Sequence, residues 1–219
     1  MKRAIILGCS HAAGAEMAAG AEMEPPPYQN YGLTHSYPVK IAKHLGYIAE
    51  NYAIAGGSND AIFRIYEEHH PTLDNSDIVI ACWSGCDRTE IWNDTNKNWQ
   101  ALAPGKTDIS PKEYLNYQQQ WITYHTNENI GRLNKIKNII ALNTIANQKN
   151  IQVINIDSFW PVPNYSWPNF IQWPIAVDFW EWCTTNNYPK TDRGHFFELA
   201  HQEFAEIVVK KLKTEVDKV

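Results

Sequence analysis

Four short segments with strand character constrain the fold of this chain more than any other feature of its sequence. They read RAIILG at residues 3–8, YIAENYAIAGG at 47–57, DIVIACW at 77–83 and IQVINID at 151–157. Glycine or polar residues follow each segment and predict turns. DIVIACW is apolar enough to be covered on both faces, which is typical of a strand in a parallel sheet.

Helical patterns separate these segments. SYPVKIAKHLG at 36–46 predicts a short amphipathic helix that ends at Gly46, and Ser58 is a good N-cap for the helix after the second segment. A long helical region is expected to run to about Gln148, and an amphipathic helix covers residues 195–212. Alternating strands and helices predict an α/β protein, a three-layer α/β/α sandwich around a central, mostly parallel sheet.

Candidate functional groups follow each of the four strand segments. Ser10 comes after the first, Gly56 ends the second, residues 84–87 follow the third and Asp157 ends the fourth. In parallel α/β sheets, ligands bind beyond the carboxyl ends of the strands. The sequence therefore predicts a site at this edge of the sheet.

Length and charge limit the classes of function. A chain of 219 residues is long enough for one well-buried domain, so we expect a single domain over residues 1–219, with irregular insertions near 84–111 and 158–189. The formal net charge of −5 argues against a nucleic-acid partner, which would favour a basic face. No segment approaches the roughly 20 apolar residues of a membrane span. The oligomeric state is left open.

Neither a signal peptide nor a metal site is predicted. The apolar run between Arg3 and Gly8 has only four residues, where a signal needs about 7–15. We therefore expect a cytoplasmic protein, with later release by another route left open. The cysteines lack zinc-site spacing and are expected to be buried thiols, and no cofactor is implied. They are Cys9, Cys82, Cys86 and Cys183.

Ser10, Asp192 and His195 are the candidate catalytic residues. Serine is a poor nucleophile near neutral pH and needs an adjacent base, while a carboxylate holds that base in the right tautomer. Asp192 and His195 are three residues apart, before the last helix, so the carboxylate is expected to reach one imidazole nitrogen. Taken singly, Ser10 would be interpreted as an N-cap, and the other two as an exposed aspartate and a histidine at the start of a helix.

Three motifs taken together resemble the SGNH (GDSL-like) hydrolase family. They are GCSH at 8–11, NYAIAGGSN at 51–59 and DRGH at 192–195. The resemblance implies a flavodoxin-like three-layer fold and a Ser-His-Asp ester hydrolase. It also implies Ser10 as nucleophile, His195 as base and Asp192 as its partner. The backbone amides of Ser10 and Gly56 would then bind the oxyanion.

The chain departs from the family pattern at two positions. Cys9 stands where the first motif has Asp, a residue outside the triad. The third block reads WSGCDRTE, so that Cys86 stands where the family has an oxyanion-binding Asn. A thiol is a weak donor, and loss of one oxyanion donor costs on the order of 10²–10³ in rate. Asn59 is the nearest candidate substitute, and Ser84 is a second. Arg88 and Glu90 are expected to form a local ion pair.

An aromatic segment at 158–182 is expected beside the site. It contains five of the nine tryptophans, together with several Pro and Asn residues. Exposed rings near amide groups suit sugar binding, so Trp160 and Trp167 are candidate substrate-binding residues. The competing interpretation is a satellite core that buries its own rings.

A tandem repeat, AAGAEM at 12–17 and again at 18–23, follows Ser10. Six residues rotate a helix by about 240°, so two copies in one helix would face different directions. We therefore expect Glu16 and Glu22 to be solvated and the repeat to be incidental.

The sequence thus predicts a serine esterase that hydrolyses an acyl ester, most simply an O-acetyl ester on a carbohydrate. The alternatives are a catalytically weak or inactive glycan-binding module on the same fold, and a lipase or thioesterase. GCSHAAG lacks the glycine patterns of dinucleotide and P-loop sites, and the GxSxG motif of α/β-hydrolases is missing.

Overall fold

Seven strands are present in the computed structural model, which describes residues 1–17, 31–103, 115–120, 128–159, 170–172 and 178–216. In chain order they are β1 (Arg3–Gly8), β2 (Ile48–Asn51), β3 (Ile78–Trp83), β4 (Thr89–Asn93), β5 (Asn98–Leu102), β6 (Gln152–Asp157) and β7 (Phe170–Gln172).

Five of these strands form one parallel sheet in the order β2-β1-β3-β6-β7. Each neighbouring pair is parallel, and the register places Leu7 opposite Ala81 and Trp83 opposite Asp157. The four strand segments expected from the sequence correspond, in chain order, to β1, β2, β3 and β6. The predicted fold class, an α/β protein with a mostly parallel central sheet, is confirmed.

Eight α-helices flank the strands in the described part of the chain. They are α1 (Ser10–Ala13), α2 (Tyr31–His35), α3 (Tyr37–His44), α4 (Asn59–His69), α5 (115–120), α6 (Glu128–Gln148), α7 (Phe179–Thr185) and α8 (Glu198–Val216). The predicted start of α4 and the predicted end of α3 are confirmed. Ser58 Oγ accepts a hydrogen bond from the Ala61 amide at 3.1 Å, and Gly46 follows α3 with φ of 81°. None of these helices is both long and apolar enough to cross a bilayer.

Two apolar cores lie on opposite faces of the sheet, because successive strand residues point to opposite sides. Ala4, Ile6 and Ile80 belong to the core that contains α3, α7 and α8 residues. Ile5 and Leu7 belong to the core with α4 and α6 residues. The three layers expected from the sequence are therefore present.

The region expected to be irregular near 84–111 contains a β-hairpin instead. β4 and β5 pair antiparallel, with Trp92 opposite Trp99. Their rings lie 5.6 Å apart in an edge-to-face arrangement, and such cross-strand aromatic pairs stabilise hairpins. The second region, near 158–189, includes β7 and α7, whose N-cap Asp178 accepts from the Glu181 amide at 2.7 Å.

The first copy of the repeat does not continue as a helix. α1 ends at Ala13, and Gly14 follows in the left-handed conformation with φ of 66°. Gly14 packs against Gly32 of α2 so tightly that a Cβ on Gly32 would lie 2.1 Å from the Gly14 carbonyl oxygen. The left-handed conformation of Gly14 ends the helix, so residues 15–17 leave the α1 axis beside α2.

Candidate active site

Ser10 lies at the carboxyl end of β1, where the chain turns sharply into α1. A Cβ on Gly8 would meet the Ala12 Cβ at 2.5 Å, so the turn requires glycine there. Cys9 is the N-cap and Ser10 the first helical residue, hence the hydroxyl does not cap the helix. Ser10 is 6% exposed, and its hydroxyl makes no hydrogen bond to any residue that the structure describes.

His195 lies on a tight turn before α8. The Thr191 amide donates to the His195 carbonyl at 2.8 Å, the Gly194 amide donates to the Thr191 carbonyl at 2.9 Å, and Gly194 has φ of 85°. Asp192 and Arg193 therefore occupy the corner of the turn and are exposed. Asp192 makes no hydrogen bond or ion pair within the described ranges. The structure thus contradicts the expected contact between Asp192 and His195.

Glu16 supplies the carboxylate that contacts His195. Its Oε2 lies 3.0 Å from His195 Nδ1 and accepts a hydrogen bond from Thr191 Oγ1 at 2.7 Å. Arg193 Nη1 lies 3.3 Å from Oε1 of the same carboxylate. The expectation of a solvated Glu16 is therefore wrong, because the turn at Gly14 redirects the repeat toward residues 191–195. No local sequence pattern marks this pairing.

The environment of Glu16 keeps it ionised. Burial acts to raise the pKa of this carboxyl, but hydrogen bonds from Thr191 and His195 and the charges of His195 and Arg193 outweigh burial, so the pKa lies below its ordinary value. An ionised carboxylate accepts the Nδ1 proton of His195, which leaves Nε2 of the neutral ring as an acceptor.

His11, the residue after Ser10 in the turn that follows β1, packs against His195. The two imidazole centroids are 5.2 Å apart, and the buried His11 ring also packs on Phe159 at 4.7 Å and Phe179 at 5.4 Å. His195 thus contacts the residue that follows Ser10, and no hydrogen bond joins Ser10 itself to His195. In ligand-free enzymes such bonds are often long and tighten when substrate binds.

Gly56 lies in a loop that passes the carboxyl end of β1. The Ile54 amide donates to the Gly8 carbonyl at 3.0 Å, so this loop runs beside the end of β1. Gly56 has φ of 78°, a conformation that favours glycine. Its amide makes no hydrogen bond to the part of the chain that the structure describes, which leaves it available to a ligand.

Asn59 has a different role from the one expected. Its Nδ2 donates to the carbonyls of Ser84 at 3.3 Å and Gly85 at 3.2 Å, and its Oδ1 accepts from the Ser84 amide at 2.8 Å. Both amide hydrogens are engaged and the residue is 1% exposed. Asn59 therefore holds the loop after β3 to the start of α4, and its side chain is not available as an oxyanion donor.

The loop after β3, which contains Cys86, packs against α6. A Cβ on Gly131 would lie 2.1 Å from the Cys86 carbonyl oxygen. Cys86 is 8% exposed, and burial raises the pKa of its thiol. The expected ion pair of Arg88 with Glu90 is wrong, because Glu90 accepts from Arg64 Nε at 2.9 Å and Nη2 at 3.1 Å.

Two sets of predicted features are not described by the structure. Trp160 and Trp167 lie outside the described residues, as does the second copy of the repeat. Within the described ranges, no group of three or more His, Cys, Asp or Glu residues could hold a metal ion.

The fold and these side chains define a three-layer α/β protein with a candidate serine–histidine site at the carboxyl edge of its sheet. No protein-family model and no curated protein matches the chain. Among solved structures it is similar to an acetyl xylan esterase from the rumen bacterium Butyrivibrio proteoclasticus, with 12% identity and a TM-score of 0.49 over 99% of this chain. The chain spans 64% of that structure's length.

Two further solved structures are similar over almost all of both chains. One is a member of the lipolytic G-D-S-L family from Veillonella parvula, with 12% identity, a TM-score of 0.39 and coverage of 100% of each chain. The other is a lipase/acylhydrolase from Enterococcus faecalis, with 13% identity, a TM-score of 0.36 and coverage of 97% of this chain and 96% of that one.

Proposed function

We propose that the protein is a serine esterase in which Ser10 is the nucleophile and His195 the general base. The observation that carries the proposal is the placement of His195 against the Ser10 turn with a carboxylate 3.0 Å from Nδ1. In this mechanism the Ser10 oxygen attacks the ester carbonyl while His195 Nε2 takes its proton. His195 returns that proton to the departing alkoxide, and water then hydrolyses the acyl-enzyme by the same route.

The proposed oxyanion donors are the backbone amides of Ser10 and Gly56. The unpartnered Gly56 amide beside β1 supports its role. The side-chain amide of Asn59 is engaged elsewhere, and Cys86 offers only a weak thiol donor. With one donor fewer than the family pattern, we expect turnover to be slower by about 10²–10³-fold than with a complete set.

The proposed substrate is an acyl ester, most simply an O-acetyl group, on a carbohydrate. Trp160 and Trp167 remain the proposed sugar-binding residues. Comparing acetyl with octanoyl esters of p-nitrophenol tests the acyl group, since preference for the longer chain would favour the lipase or thioesterase alternative.

Replacing the proposed nucleophile gives the direct test. We expect Ser10→Ala to abolish hydrolysis of p-nitrophenyl acetate and labelling by a fluorophosphonate probe, with little change in melting temperature. Ser84→Ala is the matched control, because Ser84 also follows a strand but its hydroxyl is sealed from solvent. Activity that survives in Ser10→Ala would exclude this mechanism.

A non-catalytic glycan-binding module is the second candidate function. The missing hydrogen bond between Ser10 and His195 and the presence of Cys86 in the third block favour it. It predicts that the wild-type protein binds acetylated oligosaccharides without hydrolysing them and that a fluorophosphonate does not label Ser10.

A further inference from the structure

We infer that Glu16, and not Asp192, is the positioning residue that orients His195. The inference rests on the proposed esterase function and assigns the third member of its catalytic machinery. Glu16 lies six residues after the proposed nucleophile, in the first copy of the repeat, while His195 is 179 positions further along the chain. One short segment therefore supplies both the hydroxyl and the carboxylate.

A closed set of hydrogen bonds holds this carboxylate in place. Thr191 Oγ1 donates to Glu16 Oε2 and also accepts from the His195 amide at 3.2 Å, so a single hydroxyl links the carboxylate to the backbone of the histidine. Arg193 adds a contact to the other oxygen, Oε1, at 3.3 Å. Three residues of the turn thus bind Glu16, and they fix the position of its carboxylate relative to the imidazole.

The same turn leaves Asp192 exposed while Glu16 is the carboxylate at the imidazole. The 2.8 Å bond from the Thr191 amide to the His195 carbonyl closes the turn, and Asp192 lies at its exposed corner. The Glu16 carboxylate already occupies the position at Nδ1.

The contact determines what His195 can do. A carboxylate at Nδ1 holds the ring proton on that nitrogen, so Nε2 carries the lone pair that receives the Ser10 proton. The imidazolium formed in that step is stabilised by the negative charge of Glu16. The carboxylate does not itself take the proton, which passes from Ser10 Oγ to Nε2 and then to the leaving alkoxide.

Two acidic residues offer a matched pair for the test. We expect Glu16→Gln to lower kcat for p-nitrophenyl acetate by about 10²–10⁴-fold while KM stays within about twofold. Asp192→Asn should leave both constants within about twofold, as for an exposed side chain with no hydrogen bond or ion pair to the described residues. Glu22→Gln, the equivalent change in the second copy of the repeat, should also leave kcat unchanged. The reverse ranking, with Asp192→Asn the inactive variant, would overturn the inference.

A spectroscopic measurement separates the inference from the esterase proposal. A hydrogen-bonded Nδ1 proton gives a proton resonance downfield of the backbone amides, and ¹⁵N labelling of histidine assigns it. We expect this resonance in the wild type and in Asp192→Asn, and its loss in Glu16→Ala. Its persistence in a folded Glu16→Ala protein would refute the contact even if the enzyme were active. An inactive wild type with the resonance intact would refute only the esterase proposal.

The conservative variants show whether the geometry of the network matters. Glu16→Asp keeps the charge on a shorter side chain, and we expect it to recover part of the activity lost in Glu16→Gln. Thr191→Val removes the hydroxyl that binds Oε2, and we expect kcat to fall about tenfold, the equivalent of roughly 1.4 kcal/mol. Full activity in Thr191→Val would show that the hydroxyl contributes nothing to the position of the carboxylate.

Discussion

At the scale of single residues, glycines decide how closely loops approach the candidate site. Gly8 allows the chain to turn at the end of β1, where a Cβ would also lie 2.9 Å from the Cys82 Cβ. Gly56 has a different role: open space surrounds it, and its positive φ alone favours glycine. One glycine is therefore required by packing and the other by backbone conformation.

Gly56→Ala tests the proposed role of the Gly56 amide, and Gly46→Ala is its control. Both glycines have positive φ, 78° and 81°, and neither would place a Cβ within 4 Å of another group. We expect each variant to lose about 1 kcal/mol in free energy of unfolding, measured with urea. Only Gly56→Ala should lower kcat/KM for p-nitrophenyl acetate, since only this amide is proposed to bind the oxyanion. Equal activity in the two variants would count against the Gly56 assignment.

At the scale of secondary-structure elements, the packing of α1 on α2 positions Glu16. The backbones of the two helices meet at Gly14 and Gly32. Asn51, at the end of β2, fastens the same region, because its Nδ2 donates to the Ala12 carbonyl at 3.0 Å and to the Leu33 carbonyl at 3.3 Å. The site thus depends on a junction that contains no proposed catalytic side chain.

Gly32→Ala tests this dependence. Its Cβ would lie within 2.1 Å of a backbone oxygen, so α1 and α2 must move apart. We expect a loss of about 3 kcal/mol in free energy of unfolding, and a lower kcat because residues 14–16 shift with α1. Thr34→Ala, an exposed substitution on the same helix, is the control and should change neither quantity appreciably. Normal activity in Gly32→Ala would show that the junction does not position Glu16.

At the scale of the whole molecule, buried histidines make stability depend on pH. Burial is the main cause that lowers the pKa of His11 well below its ordinary value, and the charges of His195, His201 and Arg88 act in the same direction. Burial also lowers the pKa of His201 to about 3. Below pH 6.5 the unfolded chain binds protons at these two imidazoles while the folded chain does not, so stability is lost as pH falls.

Unfolding in urea at pH 7.5, 6.0 and 5.0 measures this effect. We expect each of the two histidines to contribute about 1.4 kcal/mol per pH unit below pH 6.5. His11→Phe removes one of these histidines from a pocket already lined by Phe159, Phe179 and Phe196. It should reduce the slope of the unfolding free energy against pH by the contribution of one proton, about 1.4 kcal/mol per pH unit. An unchanged slope in that variant would show that His11 is protonated in the folded state.

Asp77 makes stability depend on pH in a second, more acidic range. Burial acts to raise the pKa of Asp77, but the hydrogen bonds and charge of Arg3 outweigh it, so the pKa lies below its ordinary value. Arg3 and Asp77 form an ion pair with a nitrogen–oxygen distance of 2.7 Å. Its stabilisation of the folded state is complete above about pH 3.9, the pKa of an aspartate in the unfolded chain, and it is lost as pH falls through the lower pKa that Asp77 has in the folded protein. Acid unfolding should therefore begin with the histidines and be completed by carboxylates such as Asp77.

The sequence by itself determined the elements whose cause is local. Short apolar runs followed by glycine or polar residues indicated β1, β3 and β6, and the Ser58 cap fixed the start of α4, because such runs and caps act within a few residues. The same local reasoning predicted Ser10 as a nucleophile at the carboxyl edge of the sheet and His195 as its base. It failed for the β4–β5 hairpin, whose cross-strand tryptophan pair depends on residues seven positions apart.

Only the tertiary structure decided which carboxylate meets His195 and where the side chain of Asn59 is bound. Both outcomes depend on contacts between segments far apart in sequence: the Gly14–Gly32 junction turns Glu16 toward residues 191–195, and the carbonyls of the loop after β3 engage the Asn59 amide. The sequence lists the donors and acceptors that are available. Their pairing is determined by the packing of helices and loops around the sheet, because hydrogen bonds form only between groups that this packing brings within about 3 Å.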